Sequence, residues 1–490
     1  MKMLVPNSLL FAMAIITASG LTMAAVLGKE ESARPNLLIM IADDLCWRDL
    51  GFQGHPDVKT PNLDRLATEG MRLERMFNPA ATCSPTRNAL YSGLHCVRSG
   101  AFPNHTRVYD GTKTIFTHLK EMGYRVGLQN KSHVGPAKSY PFEAISGADD
   151  LSETKRFITR ESEQPWMLSY CSNDPHGPWN RRAGEPLDPS KITVPPYMHD
   201  NITTRQQLAL YFDEITKFDE QVGNLLKLID ECDQRDNTVV VFLSEQGCSL
   251  PYGGKWSLYD TGIRASTIVR WPGKIAPGSK SERLLQYTDI APTFIEIAGG
   301  DPNRIDTGCP DANGKRSFDG TSFLSILKGE DRAIHEHVFA QHTTVGVNGY
   351  EQPYPSRMVR DTRYKLIRNL APDNVFTIGG IHKGEPLDSW KKDAKSDAKL
   401  QKRVDWLFRR TSAELYDLQN DPFEMNNLAY DPQYAAVRTA LQSKLDAWMA
   451  QQGDQGLETE MLATTRQGKP DKDEASSETP AKTKKKKAGN

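Results

Sequence analysis

Net charge is nearly absent from this sequence. Its 61 basic and 62 acidic residues leave a formal charge of −1 at pH 7. A chain balanced in this way produces no overall field that would draw it to a polyanion such as nucleic acid. We therefore expect no nucleic-acid partner, and any charged ligand must be recognised by a local cluster of side chains.

Long apolar segments are also missing from most of the chain. Beyond residue 26, no segment approaches the roughly 20 apolar residues of a membrane-spanning helix, so we expect no stable membrane insertion. Residues 1–25 are the exception, because Lys2 precedes an apolar run that small residues interrupt. This pattern is typical of a cleaved secretory signal peptide, with an uncleaved anchor as the alternative. It predicts a secreted or periplasmic protein.

A regular cysteine framework is the third absence. The chain has seven cysteines, an odd number, and their spacing matches no metal-binding motif. An exported protein can form disulfides, but a chain of 490 residues can bury a core that does not need them. Cys83 stands apart from the others, since its neighbours in "ATCSPTR" are polar and include a proline.

Four short apolar runs predict buried strands, at residues 37–42, 124–128, 166–170 and 239–243. Each run is unbroken rather than alternating, as expected for strands covered on both faces. Helical patterns at residues 62–70, 114–123 and 208–232 lie between them. The alternation predicts an α/β fold with a large, mostly parallel sheet sandwiched by helices.

The pattern changes after about residue 330. Residues 356–369 alternate as an antiparallel strand does, residues 413–429 suggest a strand, a turn and a helix start, and residues 434–449 suggest a closing helix. We expect a catalytic domain over residues 34–330 and a smaller C-terminal α+β subdomain with an antiparallel sheet over residues 331–455. The polar, Lys-rich residues 467–490 predict a disordered tail, with contact to an anionic surface as the alternative for its lysine run.

Charged or metal-capable side chains follow all four predicted strands. Ligands of a parallel sheet bind beyond the carboxyl ends of its strands, so we expect these side chains to converge. Their carboxylate and amide oxygens suit Ca²⁺ or Mg²⁺ better than zinc, whereas helix capping would explain only one aspartate. The side chains are Asp43, Asp44, Lys131, His133, His176, Glu245 and Gln246.

Four basic residues could surround a tetrahedral anion and exchange protons with it. They are Lys131, His133, His176 and Lys255. Each one taken singly also fits an exposed lysine or a histidine bonded within the core.

Cys83 is expected at the mouth of a helix, because Pro85 is a good first helical residue. The helix dipole favours negative charge at that place, and Arg87, one turn later, is expected to face the same point. A plain thiolate there would be reactive but easily oxidised in an exported protein.

The element Cys-x-Pro-x-Arg, present as "CSPTR", resembles the signature of the type I sulfatases of the alkaline phosphatase superfamily. The resemblance covers residues 34–450 and includes "TPNLDRLATEGMRLERMF", "NDPHGPW", "GIRASTIVRWPG" and "LYDLQNDPFEMNNLA". It implies an alkaline phosphatase-like fold and a sulfuric ester hydrolase. It also implies that a formylglycine-generating enzyme, or an anaerobic sulfatase-maturating enzyme, converts Cys83 to Cα-formylglycine.

The same resemblance implies a divalent metal, Ca²⁺ or Mg²⁺, and a ligand set for it. The pair Glu245-Gln246 departs from the usual Asp followed by Asn or His, so we expect altered geometry on longer side chains. The small residues common after the aspartate pair are replaced by Cys46-Trp47, which we expect to reshape the pocket rim. The implied ligands are Asp43, Asp44, the modified Cys83, Glu245 and Gln246.

The resemblance further implies a mechanism. The hydrated aldehyde attacks sulfur with support from the metal and Arg87, while Lys131, His176 and Lys255 contact the sulfate. His176 is the candidate acid for the departing alcohol, and His133 takes a proton when sulfate is released.

A sulfated polysaccharide or glycosaminoglycan fragment is the substrate class that the resemblance implies, and we expect loops at residues 179–197 and 341–355 to select it. N-sulfoglucosamine hydrolysis and arylsulfatase activity are alternatives within the family. A phosphonate or phosphodiester hydrolase and a non-catalytic carbohydrate binder are the other two.

Overall fold

The computed structural model of the protein describes residues 34–147, 149–161 and 163–468. The predicted signal peptide, and the predicted tail from residue 469, lie outside the described residues. Gln467 belongs to the packed part, since its Nε2 donates to the carbonyls of Asn104 at 2.8 Å and Gly346 at 3.0 Å. The ordered chain thus extends slightly beyond the predicted start of the tail. None of the helices within the described ranges has the length and apolar character needed to span a bilayer.

The strands fall into one large sheet and two smaller ones. They are β1 (Asn36–Ala42), β2 (Met71–Leu73), β3 (Met76–Phe77), β4 (Arg125–Asn130), β5 (Glu143–Ile145), β6 (Trp166–Cys171), β7 (Thr238–Ser244), β8 (Arg264–Ala265), β9 (Thr267–Arg270), β10 (Ser279–Ser281), β11 (Leu285–Gln286), β12 (Val338–His342), β13 (Ser356–Arg360), β14 (Tyr364–Asn369) and β15 (Ala413–Asp417).

The large sheet has the order β10-β2-β9-β7-β1-β6-β4-β5. Strands β7, β1, β6, β4 and β5 run parallel, whereas β9 is antiparallel to both β7 and β2. The predicted, mostly parallel sheet is confirmed, with its antiparallel pairing on the β9 side. All four predicted strands are present, and they occupy adjacent central positions.

The described residues form fifteen α-helices, several of which cover the two faces of this sheet. They are α1 (Pro61–Glu69), α2 (Cys83–Ser92), α3 (Cys96–Ser99), α4 (Ile115–Glu121), α5 (Ser152–Thr159), α6 (Ile202–Glu231), α7 (Asp260–Ile263), α8 (Ile290–Ile297), α9 (Leu324–Leu327), α10 (Gly379–His382), α11 (Glu385–Ala394), α12 (Ala398–Phe408), α13 (Ala435–Gln452), α14 (Leu457–Met461) and α15 (Ala463–Arg466).

Strand β1 shows why the apolar runs are unbroken. Leu38 and Met40 pack into a core with α1, α6, α11 and α12, whereas Leu37 and Ile39 pack into a second core with α2, α4 and α8. Successive side chains of a strand point to opposite faces, so a strand between two cores needs an apolar residue at every position. The two cores hold the carboxyl ends of the central strands in fixed positions.

The C-terminal region contains an antiparallel sheet of order β12-β13-β14-β15, with α13 packed against it. Two details of the prediction are wrong. Residues 356–369 form two strands, β13 and β14, joined by a turn at residues 361–363, and α13 begins at Ala435 with no helix at residues 423–429. The alternation of apolar and polar residues continues through the short turn at residues 361–363, so the pattern did not reveal the turn. The pair α11 and α12, which packs on the α6 face, was not predicted.

Candidate active site

The carboxyl ends of four adjacent strands meet at one edge of the large sheet. Backbone hydrogen bonds continue past the strands there, since Asp43 N donates to the carbonyl of Asp174 at 3.1 Å and Glu245 N donates to that of Ala42 at 3.2 Å. Lys131 N donates to the carbonyl of Cys171 at 3.4 Å. Residues far apart in sequence are therefore fixed side by side, as the parallel arrangement predicted.

Cys83 is the first residue of helix α2, and all residues of that helix are buried. Thr82, with extended backbone, precedes it, and Pro85 is the third helical residue rather than the first. The hydroxyl of Thr86 donates to the carbonyl of Ala80 at 2.7 Å and fixes the start of the helix. The predicted position of Cys83 at a helix N-terminus is confirmed.

Arg87 lies one turn further along α2 with no solvent exposure. Its Nε donates to Glu245 Oε1 at 2.8 Å, and its Nη1 donates to the carbonyl of Lys131 at 2.6 Å. Lys131 Nζ binds Asp43 Oδ2, and Arg87 Nη2 lies 3.9 Å from Asp43 Oδ1. A fixed guanidinium group therefore joins three of the four strand ends.

A second group of contacts surrounds Asp44. Lys255 Nζ donates to Asp44 Oδ2 at 2.6 Å, and Gln246 Nε2 donates to Asp44 Oδ1 at 2.7 Å. Lys255 Nζ also lies 3.0 Å from His176 Nε2, while His176 Nδ1 lies 2.7 Å from the carbonyl of Gly177. Since only a protonated nitrogen can donate to a carbonyl, Nδ1 carries the hydrogen and Nε2 accepts from Lys255.

Burial and opposite charges shift the pKa values of this cluster. Burial would raise the pKa of Asp43, but Lys131 and Arg87 outweigh it and hold that pKa well below its usual range. Burial disfavours the charged form of Glu245, and the paired guanidinium group of Arg87 opposes that effect. Burial opposes the charge of Lys255, yet Asp44 raises its pKa. The cations at the strand ends therefore keep their charge.

The backbone is unusual at several of these positions. Asp44, Asn130, His133 and Trp256 have φ values of 64°, 67°, 52° and 62°, in the left-handed region that non-glycine residues rarely adopt. Each such residue costs on the order of 1–3 kcal/mol unless its surroundings compensate, and such residues concentrate at functional sites. Each lies within, or directly beside, the predicted set.

His133 contacts a residue that the sequence did not reveal. Its Nε2 lies 2.8 Å from Nδ1 of His105, and its own Nδ1 is buried without a hydrogen-bond partner in the structure. Burial, with repulsion from Lys131 and Arg87, lowers the pKa of His133 to about 3. A single histidine in a loop has no spacing signal, so only the fold could place His105 here. Asn78 was missed for the same reason, and its Nδ2 donates to the carbonyl of Glu245 at 2.5 Å.

The predicted metal ligands fit a hard cation in donor type. Asp43 Oδ1 and Gln246 Oε1 are buried oxygens without a hydrogen-bond partner, and Glu245 and Asp43 lie close enough for their carboxyl groups to interact. Within the described ranges, no three Asp, Glu, His or Cys side chains converge as a ready metal cluster. Cationic side chains bind oxygens of Asp43, Asp44 and Glu245, and these contacts explain why the three carboxylates do not converge.

The two loops expected to select substrate differ from the expectation in part. His342 and Tyr354 are buried, and Tyr354 packs on Phe376. In the other loop, Arg181 binds Asp174 at 3.0 Å and Trp179 Nε1 donates to the carbonyl of Pro175 at 2.8 Å. His342 and Tyr354 therefore support their loop from within, whereas Arg181 and Trp179 are partly exposed and bind their own loop.

Comparison with known proteins identifies the family of this chain. The profile described as "Sulfatase" matches residues 35–151 and 145–300, which is more than half of the chain. The chain belongs to the sulfatase family. A second profile, "N-sulphoglucosamine sulphohydrolase, C-terminal", matches residues 252–384 of this sulfatase.

Two curated relatives share most of the length of this sulfatase. An ulvan-active sulfatase from Formosa agariphila is 32% identical over 435 residues, covering 86% of this chain and 81% of the relative. Human N-sulphoglucosamine sulphohydrolase is 25% identical over 477 residues, covering 85% of this chain and 90% of the relative. The chain is therefore a sulfatase, and the family expected from the sequence is confirmed.

Solved structures resemble this sulfatase in fold. A protein in complex with its substrate D-glucosamine-2-N,6-O-disulfate aligns with a TM-score of 0.65 and 18% identity, over 86% of this chain and 99% of that one. The phosphonate monoester hydrolase of Agrobacterium radiobacter aligns with a TM-score of 0.63 and 19% identity, over 86% and 96%. The predicted alkaline phosphatase-like fold is confirmed, and fold alone does not separate the two chemistries.

Proposed function

We propose that this sulfatase hydrolyses sulfate groups of a sulfated carbohydrate, with an oxidised Cys83 as nucleophile and a hard divalent cation beside it. The supporting observation is convergence around the start of α2. There, Lys131, Lys255 and Glu245 all lie close enough to Cys83 to interact with it electrostatically. The names of the relatives support the substrate class, since ulvan-active and N-sulphoglucosamine enzymes both act on sulfated saccharides.

Two groups absent from the structure would complete the site. A Cα-formylglycine at position 83 would supply a geminal diol, one hydroxyl as nucleophile and the other as the group whose deprotonation expels sulfate. Held by Asp43, Asp44, Glu245, Gln246 and residue 83, Ca²⁺ or Mg²⁺ would supply a positive charge that favours the ionised hydroxyl. The buried oxygens without partners, Asp43 Oδ1 and Gln246 Oε1, support this ligand set.

Arg87, Lys131 and Lys255 bind and orient the anion. Because Arg87 is fully buried and held by Glu245, its charge lies at a fixed position beneath residue 83. The lysines lie nearer the surface, with 19% and 5% of their side chains exposed. Preorganised cations of this kind stabilise the charge that develops on a transferring group without reorganising during the reaction.

His176 and His133 are the two groups that exchange protons. The side chain of His176 is 38% exposed, so it lies at the mouth where an alcohol would depart. Its Nε2 accepts from Lys255 in the structure, so His176 acts as the acid only after Nε2 takes up a proton, which it then donates to the leaving oxygen. His133 is held neutral by burial, and its Nδ1 is the atom that would accept a proton, since Nε2 contacts His105.

The test is to produce the protein with and without a formylglycine-generating enzyme and to measure release of inorganic sulfate from an aryl sulfate and from defined N- and O-sulfated saccharides. Mass spectrometry of the peptide containing residue 83 reports the modification. We expect sulfate release to follow the formylglycine content and to disappear in Cys83→Ala, while Cys232→Ala, which changes a half-buried cysteine outside the site, remains active.

Three outcomes would contradict the proposal. Full activity of Cys83→Ala would show that residue 83 is not the nucleophile. Faster hydrolysis of phosphonate or phosphodiester substrates than of every sulfate would favour the other chemistry. An unmodified cysteine in protein from the native host, with saccharide binding and no turnover, would favour a carbohydrate binder.

A further inference from the structure

A second cationic cleft lies outside the active site. It has a volume of about 510 Å³, and its walls come from the catalytic region, the turn between β13 and β14 and the segment after β15. We name it the arginine cleft after the five arginines in its walls, Arg48, Arg75, Arg264, Arg360 and Arg363. None of the proposed catalytic or metal-binding residues lines it.

We propose that the arginine cleft binds an anionic unit of the same sulfated polysaccharide on which the active site acts. This proposal rests on the proposed function, because it extends the binding of the same polymer. The ligand chemistry is a sulfate or carboxylate group on a sugar, and the volume suits a unit of about one or two sugar rings.

The charges of the cleft are not balanced. Its five guanidinium groups face three carboxylates, Glu74, Asp260 and Glu282. Two of these carboxylates also bind cations outside the lining, since Glu74 lies 3.1 Å from Arg72 and Asp260 lies 2.5 Å from Lys365. Outside carboxylates compensate in part, because Asp417 binds Arg363 and Glu424 binds Lys365, each at 2.7 Å. An excess of positive charge remains on the cleft wall.

Three of the arginines crowd one another around aromatic rings. The guanidinium carbons of Arg264 and Arg48 lie 3.6 Å and 4.6 Å from the centre of the Trp47 ring, and Arg360 lies 4.5 Å from that of Phe77. Burial, together with repulsion from Arg360 and Arg48, lowers the pKa of Arg264 to about 10 despite the attraction of Asp260. An anion bound beside these groups would relieve that repulsion.

Stacking leaves the edges of the guanidinium groups available for hydrogen bonds. Arg48 Nε is buried and has no hydrogen-bond partner in the structure, although Nη2 of the same side chain donates to the carbonyl of Pro422 at 2.8 Å. A planar group with several N–H donors binds sulfate or carboxylate oxygens in pairs, which lysine cannot do. The cleft thus combines held cations with one guanidinium group, that of Arg48, whose donors are not all used.

The pair Arg75–Glu282 allows a test in which the two variants move in opposite directions. The two side chains are partly exposed and lie 3.2 Å apart, so changing either should leave the fold intact. Binding of a fluorescent heparin oligosaccharide to unreactive Cys83→Ala protein is measured by anisotropy at low and high salt. We expect the double variant Arg75→Gln, Arg363→Gln to weaken binding of the oligosaccharide by about threefold to tenfold. We expect Glu282→Gln to tighten that binding. Arg316→Gln, which changes a pair at 2.9 Å elsewhere on the surface, should have no effect.

Equal effects of Arg75→Gln and Glu282→Gln, or no effect of either, would overturn the proposal and leave the cleft as a structural ion-pair network. In active protein, the Arg75 and Arg363 variants should raise KM for the polysaccharide while kcat and the rate on an aryl sulfate stay unchanged. Absence of aryl sulfate hydrolysis in the parent protein would contradict the proposed function instead. The binding measurement on the Cys83→Ala protein would still test whether the cleft binds the oligosaccharide.

Discussion

Arg87 and Glu245 form a hydrogen-bonded ion pair at 2.8 Å with no exposure of either side chain. The pair connects the second turn of α2 to the residue that follows β7, with Asp43 as a further buried carboxylate beside it. The side chain of Glu245 reaches the guanidinium group directly. The pair therefore has a structural role in addition to its proposed catalytic one.

Replacing Arg87 should cost considerable stability. Arg87→Gln leaves Glu245 and Asp43 buried without their shared cation, and losing one partner of a buried pair costs about 3–5 kcal/mol. The free energy of unfolding by urea measures this cost. Arg75→Gln is the matched control, since its pair with Glu282 is exposed and worth less than about 1 kcal/mol. Equal losses in the two variants would show that burial of the pair has no energetic consequence.

A divalent cation should stabilise the folded protein independently of turnover. A ligand that binds only the folded state adds about 2.7 kcal/mol at 100 times its dissociation constant. We expect Ca²⁺ or Mg²⁺ to raise the melting temperature and EDTA to reverse the rise. Asp44→Asn should abolish the response because it removes a proposed ligand. An unchanged response in this variant would contradict the ligand set. Chelation by EGTA in excess Mg²⁺ would distinguish the two ions.

His105 should act by orienting His133, which lies 2.8 Å away. His105→Ala removes the partner of Nε2, so we expect kcat to fall about tenfold or more with little change in KM, because such support for a reacting histidine affects rate more than binding. His105→Asn keeps a side-chain acceptor and should recover part of the loss. The comparison uses kcat and KM on an aryl sulfate. A proportional rise of KM in both variants would instead indicate a damaged binding site.

Stability should fall in mild acid, partly because of His342. Burial, with repulsion from Arg410 and Arg357, lowers the pKa of this histidine to about 3. A histidine with a lowered folded pKa binds a proton more readily when unfolded, so its contribution is complete above the unfolded value of about 6.5 and decreases as the pH falls toward about 3.

At pH 5 this loss amounts to about 2 kcal/mol. We expect His342→Gln to show a smaller decrease in unfolding free energy between pH 7 and pH 5 than the parent protein does. Urea unfolding at both pH values gives the comparison. Identical decreases in the two proteins would exclude His342 as a source of the acid sensitivity.

The sequence alone determined the local features of this protein. Unbroken apolar runs such as residues 37–42 predicted strands buried on both faces, because a strand between two cores needs apolar side chains at every position. The Cys-x-Pro-x-Arg element gave both the helix start at Cys83 and the family. Each of these signals spans only a few residues, so short-range periodicity and capping are enough to reveal it.

Only the tertiary structure decided which of these features meet. The order β7-β1-β6-β4 places residues 245, 43, 176 and 131 side by side, and no local pattern encodes the order of strands. The contact of His105 with His133 and the crowding of Arg48, Arg264 and Arg360 also join segments distant in sequence. Such contacts depend on how the whole chain packs, since burial and electrostatic interaction act through space and leave no spacing in the sequence.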